Sequence, residues 1–407
     1  MTDHAVRRRR TALFILFLIP GLALSSWVTR TPDVRDALHA STSEMGLVLF
    51  GLSAGAMIGV LGSGRLVARL GTRPVIGAGT LLMVLSLGVM GCGALATSAP
   101  FVTAGLFLFG VGMGAGDVAV NVDGADIEKI SGRTLLPTIH GFFSLGTVIG
   151  ACLGILCTAV RFPVHWHLFA VVVATAALAV YACRAIPAGI GRTAAAADRD
   201  AASASPVWKD RRLLLIGGVI LALALAEGTA NDWLPLLMVD DHGLDASLGS
   251  AVFAGFAAAM TVGRIGGGLV VDRIGRARTL RISALSAALG LAVVIFVDSP
   301  VLVVPAVLLW GLGTSLGFPV ALSAAGDSGP DSAARVGLAA TIGYIAFLVG
   351  PPGLGFLGDH YGLSTAMIVV LGIIVIAVFL TPAAGAQHTQ PVRSHETAPP
   401  TPPRTPR

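Results

Sequence analysis

The feature that most constrains the fold is a series of twelve apolar stretches, each about twenty residues long, separated by short polar or charged segments. A helix of about twenty residues, rising 1.5 Å per residue, crosses a hydrocarbon layer of roughly 30 Å. Only 12% of the residues are charged and 55% are hydrophobic, whereas an ordinary soluble domain has roughly 25% charged residues. We therefore predict an all-α membrane protein with twelve transmembrane helices.

The basic residues predict the orientation of these helices. If the N-terminus lies inside, cytoplasmic segments hold 23 of the 27 Lys and Arg residues, which is the distribution typical of membrane proteins. Only Arg30, Arg35 and Arg161 fall outside, and Arg264 lies within a span. We expect a multi-pass protein of a bacterial-type cytoplasmic (inner) membrane with both termini cytoplasmic. The pI of about 9.4 reflects this topology and attraction to anionic lipids, and no motif indicates a nucleic-acid partner.

The two halves of the chain repeat each other. Residues of the second and fifth spans recur in the eighth and eleventh at a constant shift of 204 positions, and a weaker match relates Gly110, Gly112 and Gly116 to Gly311, Gly313 and Gly317. Six spans return the chain to its starting side, so we predict two parallel six-helix halves with a substrate site between them. The pairs at the constant shift are Gly59 and Gly263, Gly62 and Gly266, Gly64 and Gly268, Arg69 and Arg273, Gly71 and Gly275, Phe143 and Phe347, and Gly146 and Gly350.

Composition divides the chain further. We predict a basic cytoplasmic N-terminus at 1–10, the first half at 11–186 and the second half at 213–384. The polar segments 187–212 and 385–407 are predicted to be a cytoplasmic linker and a disordered cytoplasmic tail. The first span is expected to be an uncleaved helix, and the tenth is expected near Val301 to Ala324. The four cysteines lie in apolar spans without metal-ligand spacing, so no metal, disulfide or cofactor is predicted.

Two loops carry related glycine and arginine motifs. The loop from Gly268 to Arg278 resembles the signature loop of the major facilitator superfamily, and the loop from Gly64 to Arg73 is a second copy with Ala68 in place of the acid. The resemblance implies alternating access and a gate at the cytoplasmic end, where glycines let helices approach and the acid and arginine pair or cap a helix. The expected gate residues are Gly64, Arg69, Gly71, Gly268, Asp272, Arg273, Gly275 and Arg276.

Ionisable groups inside spans are costly and so point to function. Asp117 and Asn121 are four residues apart, as are Glu227 and Asn231, so each pair shares a helix face. A carboxylate beside an amide suits a polar solute, and a carboxyl removed from water can load and release a proton. The alternative is that both pairs simply join neighbouring helices through hydrogen bonds. These four residues are our candidate substrate and proton site.

The string from Gly110 to Asn121 resembles the fucose permease branch of the superfamily, in which an acid is followed four positions later by asparagine. The acid that the branch carries in its first span is missing here. His140 and Tyr344 are further candidates for lining the inner cavity. Arg264 either lines this cavity as well or extends its side chain toward the membrane interface. Asp232 and Trp233 are expected at the membrane interface, as an acid and an aromatic anchor, with the alternative that they line the outer mouth.

We therefore expect a monomeric secondary transporter that moves a small solute by alternating access. Our first hypothesis is proton-coupled uptake of a sugar-like polar molecule. Its partners would be the small-molecule substrate, protons and the lipid bilayer. The apolar spans leave two alternatives open. One is proton-driven efflux of an amphipathic compound or drug, and the other is a non-transporting membrane sensor. No catalytic arrangement or phosphate-binding loop indicates an enzyme or an ATP-driven pump.

Overall fold

A computed structural model describes residues 3–131, 135–192, 207–329 and 332–385, and the described residues fold into fourteen α-helices and two short 3₁₀ turns at Val207–Lys209 and Thr381–Ala384. Twelve helical segments are long and apolar enough to cross a membrane, which confirms the predicted number. The helices are α1 Asp3–Val28, α2 Thr31–Leu38, α3 Thr42–Leu70, α4 Thr72–Leu95, α5 Ala99–Ser131, α6 Leu136–Ala159, α7 Val164–Cys183, α8 Arg211–Asp240, α9 Ala246–Ile274, α10 Arg276–Phe296, α11 Pro300–Thr314, α12 Gly317–Gly326, α13 Ser332–Tyr361 and α14 Leu363–Leu380.

Local sequence sets several of these helix ends. Ser41 and Glu44 form a reciprocal capping box at the start of α3, which satisfies two backbone N–H groups that a helix start leaves unpaired. Asp210 and Asp245 cap α8 and α9 in the same way, each accepting from two backbone N–H groups of the first turn. The short helix α2 lies between the first two spans and was not predicted. The central part of the linker, 193–206, and the tail beyond 385 lie outside the described residues.

The tenth span, predicted near Val301 to Ala324, is present and contains a break. It consists of α11 and α12, which are separated by Ser315 and Leu316. Pro319 explains the break, because proline has no N–H to give to the carbonyl four residues earlier, which is that of Ser315, and its ring clashes there. The carbonyl of Ser315 is thereby left available to another donor.

The internal repeat is visible in how the helices of each half cross. A Cβ on Gly110 would stand 2.1 Å from the main-chain oxygen of Leu52, and a Cβ on Gly311 would stand 2.7 Å from that of Phe256. Leu52 and Phe256 are themselves separated by the 204-residue shift. Backbone therefore packs directly on backbone at the same crossing in both halves, which confirms the parallel repeat and, within the weaker match, the pairing of Gly110 with Gly311.

The halves meet at one end of the bundle, which we call the far end, where α1 ends and α3 begins. There a Cβ on Gly46 of α3 would stand only 2.7 Å from the carbonyl oxygen of Pro351 on α13. Ser43 donates to Asp359 at 3.0 Å and Ser250 donates to the carbonyl of Thr29 at 2.8 Å. An ion pair between Arg35 of α2 and Asp240 of α8 also joins the halves.

The opposite end, which we call the basic end, lies where α3 and α9 finish and is open between the halves. A Cβ on Gly62, Gly64, Gly266 or Gly268 would meet nothing within 4 Å. Within the described ranges, every hydrogen bond and ion pair between the halves lies at the far end. In the described part of the chain, the halves are therefore joined at the far end and separated by a cleft that opens at the basic end.

Candidate functional site

An ion pair lies well inside the membrane on the second half. Arg264 on α9 places Nη2 2.7 Å from Oε1 of Glu227 on α8, and its Nε donates at 3.4 Å to the carbonyl of Ser315. This is the carbonyl that the break in the tenth span releases. Arg264 is 33% exposed and Glu227 15% exposed, so the pair can be reached from the cleft. The sequence indicated Arg264 as one candidate for lining the inner cavity, but gave no sign of its partners.

A neutral hydrogen-bonded pair lies on the first half. Asn121 of α5 and His140 of α6 are joined through Oδ1 and Nε2 at 3.1 Å, and the Asn121 amide donates to the main-chain carbonyl of Asp117 at 3.0 Å. The ring of Phe17 packs edge-on against His140 with centroids 4.7 Å apart. The expected neighbourhood of Asp117, Asn121 and His140 is thus present, with the imidazole exposed to the cleft.

Asp117 borders a pocket of about 40 Å³ between α1, α4, α5 and α6, which is room for a few water molecules. The amide of Asn121 lies beside its carboxylate. Among the described residues, no basic nitrogen lies within 4.0 Å of that carboxylate, in contrast to Glu227. The walls of the pocket are largely apolar and are formed by Leu16, Phe17, Pro20, Thr80, Met83, Gly112, Met113, Gly116, Asp117, Val120 and Phe143.

Groups from the two halves face each other across the cleft. Tyr344 on α13 is close enough to Asp117 for the two groups to interact electrostatically, and the same is true of Arg264 and His140. The ring of Tyr344 contacts Phe318 edge-on at 6.4 Å between centroids. Asn231 lies one turn beyond Glu227 on α8 and is partly buried. The six residues proposed from sequence lie on α5, α6, α8 and α13, two helices of each half.

Asp232 and Trp233 differ from their predicted interfacial position. Trp233 is fully buried and Asp232 is 7% exposed. The edge of the Trp233 ring packs near Gly355 of α13, where the halves meet. Trp233 is therefore part of the closed far end, because its ring lies against α13 rather than among lipid head groups.

The motif loops adopt the same backbone conformation in both halves. Gly71 and Gly275 have φ of 88° and 80° and join α3 to α4 and α9 to α10, a conformation that glycine adopts without steric cost. Gly64 and Gly268 make no close helix contact at the open end, contrary to the expected approach. In the described parts of the chain Arg69, Asp272 and Arg273 make no ion pair, whereas Arg276 pairs with Asp327 at 2.6 Å.

A buried ionic network at the basic end of the first half was missed by sequence reasoning. Arg9, placed in the basic N-terminal segment, is part of α1 and only 1% exposed. Its Nε lies 2.7 Å from the fully buried carboxylate of Asp123, and its Nη2 lies 2.8 Å from Asp126. Thr72 donates to the same Asp123 carboxylate at 2.8 Å. At the 204-residue shift, Thr72 and Asp123 correspond to the paired Arg276 and Asp327.

The second half has its own ionic contact at this end. Arg335 of α13 lies 2.5 Å from the carboxylate of Asp210, the residue that caps α8. The hydrogen bond from Arg335 lowers the pKa of Asp210 below its ordinary value. The linker is thus fastened to the start of α8 and to α13.

Sequence and structural comparisons agree with this architecture. The family model of the Major Facilitator Superfamily matches residues 12–336 and 233–404, which together span nearly the whole chain. The chain belongs to the major facilitator superfamily. Members of this superfamily are membrane transporters of small solutes and not enzymes, as the sequence predicted.

Two relatives illustrate the range of similarity within the superfamily. An uncharacterised transporter of Sinorhizobium fredii is 31% identical over 365 residues, which cover 87% of this chain and 95% of that protein. The cis,cis-muconate transport protein of Acinetobacter baylyi is 25% identical over 372 residues, covering 84% and 88%.

Solved transporters share the fold at low sequence identity. A variant of the nucleoside transporter NupG superposes with a TM-score of 0.74 at 16% identity, covering 92% of this chain and 99% of that one. A D-xylose-proton symporter gives 0.72 at 14% identity, covering 94% and 97%. The fucose:proton symporter of E. coli gives 0.63 at 17% identity, covering 93% and 98%.

Proposed function

We propose that this protein imports a small polar organic solute together with protons, by alternating access of its two halves. The observation that carries the proposal is the convergence of polar side chains inside the membrane at the cleft. Asn121 and His140 come from the first half, and Glu227 and Arg264 come from the second. They offer hydrogen-bond donors, acceptors and a cation where transporters built of two parallel repeats bind their substrates.

The proposed orientation places the basic end in the cytoplasm of a bacterial-type cell, because Lys and Arg collect on that side. The termini and the linker at 187–212 are then cytoplasmic, and the protein lies in the inner membrane, which we propose it does as a monomer. With that orientation, the closed far end is the outer gate and the cleft opens inward. Substrate would leave the site directly into the cytoplasm.

Asp117 is the proposed proton carrier. A charged carboxylate in apolar surroundings without a cation is costly, and binding a proton removes that cost. Its pocket has room for a few water molecules, which provides a path for the proton. Asn121 beside it links this group to His140 and so to the cleft.

The names of similar proteins support this class of function. Two transporters with the same fold are described as proton symporters of a sugar, D-xylose in one case and fucose in the other. Another is a nucleoside transporter, and one relative in sequence transports cis,cis-muconate. We therefore propose a polar cargo about the size of a monosaccharide.

The first measurement is a thermal-shift screen of the purified protein against sugars, nucleosides, organic acids and amphipathic cations at two pH values, because a ligand stabilises the state it binds. Hits then enter uptake assays in proteoliposomes under an imposed proton gradient. We expect Asp117→Asn to abolish gradient-driven accumulation, whereas the exposed far-end control Asp298→Asn retains it. Accumulation by Asp117→Asn at the wild-type rate would refute the proposed proton carrier, and stabilisation only by amphipathic cations would favour efflux.

A further inference from the structure

Arg264 places a partly exposed guanidinium in the middle of a transmembrane helix. It lies well inside α9, away from both helix ends. Its Nη2 faces Glu227, its Nε faces the carbonyl of Ser315, and within the described parts of the chain Nη1 makes no hydrogen bond. A third of the side chain remains exposed. The guanidinium is thus fixed on one edge by the protein and open to the cleft on the rest of its surface.

We infer that Arg264 is the anchor for a carboxylate on the transported solute, and that Glu227 occupies this anchor when no solute is bound. This inference rests on the proposed transport function and names its substrate class as small polar organic acids. A guanidinium presents paired N–H donors that match the two oxygens of a carboxylate. Glu227 makes a single contact of this kind, so a better-aligned carboxylate can compete with it.

The break in the tenth span supports a binding role over a purely structural one. A structural ion pair between α8 and α9 needs only the two side chains. Here a helix is interrupted at Ser315, and the released carbonyl accepts from Nε of Arg264, a different nitrogen from the one that faces Glu227. Arg264 can therefore keep its position when Glu227 moves away, as an anchor that exchanges partners must.

Displacement of Glu227 leaves an unbalanced charge, which links acid binding to proton uptake. Arg264 is the only cation within 4.0 Å of Glu227 in the part of the chain that the structure describes. A proton bound by the displaced Glu227 restores neutrality, so the organic anion and the proton enter the site together.

Among the residues that the structure describes, none besides Arg264 offers a cation close enough to Glu227 to balance that charge. Of the helices packed against α8, α11, α12 and α14 contain no titratable side chain. Arg35 of α2 is at the far end and Arg9 of α1 is buried with Asp123 at the basic end. The remaining groups that face this region are Arg264 on α9, Tyr344 on α13, and, from across the cleft, Asp117 and His140; Asp232 lies beyond on α8 itself.

The experiment compares acids with their uncharged methyl esters on the full-length protein in nanodiscs. The probes are glucuronate, benzoate and cis,cis-muconate, each paired with its ester, with binding followed by thermal shift and titration. We expect each acid to bind more tightly than its ester. Arg264→Gln should reduce acid binding on the order of 10- to 100-fold, as expected for losing a charge-assisted contact, and leave ester binding unchanged. The exposed Arg211→Gln is the matched control.

A second variant protects the test against misfolding of Arg264→Gln. Glu227→Gln removes the competing carboxylate, so it should tighten acid binding and abolish the uptake of about one proton that accompanies it, measured with an indicator dye in weak buffer. Equal binding of acids and esters, absence of acid binding, or acid binding that neither variant changes would overturn the inference. Gradient-driven accumulation of an uncharged solute that Arg264→Gln leaves intact would refute the inference while supporting the proposed transport function.

Discussion

Gly46 offers a direct test of the closed far end. Its α-carbon faces α13, and a Cβ there would stand 2.7 Å from the carbonyl oxygen of Pro351 and 3.1 Å from the Cα of Gly355. Both atoms are main chain and cannot rotate away. Gly46→Ala therefore forces α3 and α13 apart by about 0.7 Å, from 2.7 Å to the 3.4 Å at which ordinary contact begins.

That separation destabilises only the conformation that is closed at the far end. Overpacking a tight contact costs roughly 1–3 kcal/mol, and the same methyl group meets no such contact once the halves part at the far end. A bias of that size changes the ratio of the two conformations by about 5- to 150-fold, since each 1.4 kcal/mol is a factor of ten. The variant should therefore populate a state that is open at the far end.

The assay is the labelling rate of Ser250→Cys by a membrane-impermeant maleimide, in a background lacking the four native cysteines. Ser250 is fully buried at the far end, where it contacts Thr29 on a different pair of helices from Gly46. Its labelling thus reports opening of the whole end. We expect labelling to accelerate in Gly46→Ala in proportion to the population shift.

Gly62→Ala is the matched control, because it adds the same methyl group to the same helix at the open end, where nothing lies within 4 Å. It should leave Ser250→Cys as slow to label as in the parent. If both glycine variants label at the same rate, the contact between α3 and α13 does not hold the far end closed, and the reasoning fails.

Two further predictions concern the basic end. Arg9→Met leaves the fully buried Asp123 carboxylate without its cation and should lower the free energy of unfolding by about 3–5 kcal/mol. Thermal unfolding in detergent measures this loss. Arg8→Met, at an exposed position of the same helix, is the control and should have little effect. Because the Arg335 contact lowers the pKa of Asp210, it stabilises the fold above the ordinary aspartate pKa near 4 and is lost as the pH falls through the lowered value. The melting temperature of Asp210→Asn should therefore lie below that of the wild type at neutral pH and converge with it in acid, and a constant difference across pH would contradict this account.

The architecture was largely predictable because its signals are local. An apolar stretch of about twenty residues is visible without knowing its neighbours. The repeat was visible because glycines such as Gly110 and Gly311 are required wherever two backbones cross at the same place in both halves. The broken tenth span also had a local signal in Pro319, although the apolar run around it favoured an unbroken helix.

The side-chain pairs at the site were harder to foresee, because they join residues that only the fold brings together. Glu227 and Arg264 sit on different helices, and Arg9 and Asp123 are 114 positions apart. The sequence identified Glu227 as costly and Arg264 as unusual, but hydropathy carries no information on which polar side chains meet. Asp232 and Trp233 were misplaced for the same reason, since no sequence pattern distinguished the face of α8 that packs against α13.

The backbone crossings within each half have a consequence for how such a transporter can diversify. Positions such as Gly110 and Gly112 accept no side chain, so the body of each half is intolerant of change. Asn231 and Tyr344 lie outside these crossings, at positions that we propose border the path of the solute. Substitutions at such positions can alter the substrate specificity without disturbing the helix packing of each half. Redesign of specificity should begin there, with the glycine framework left untouched.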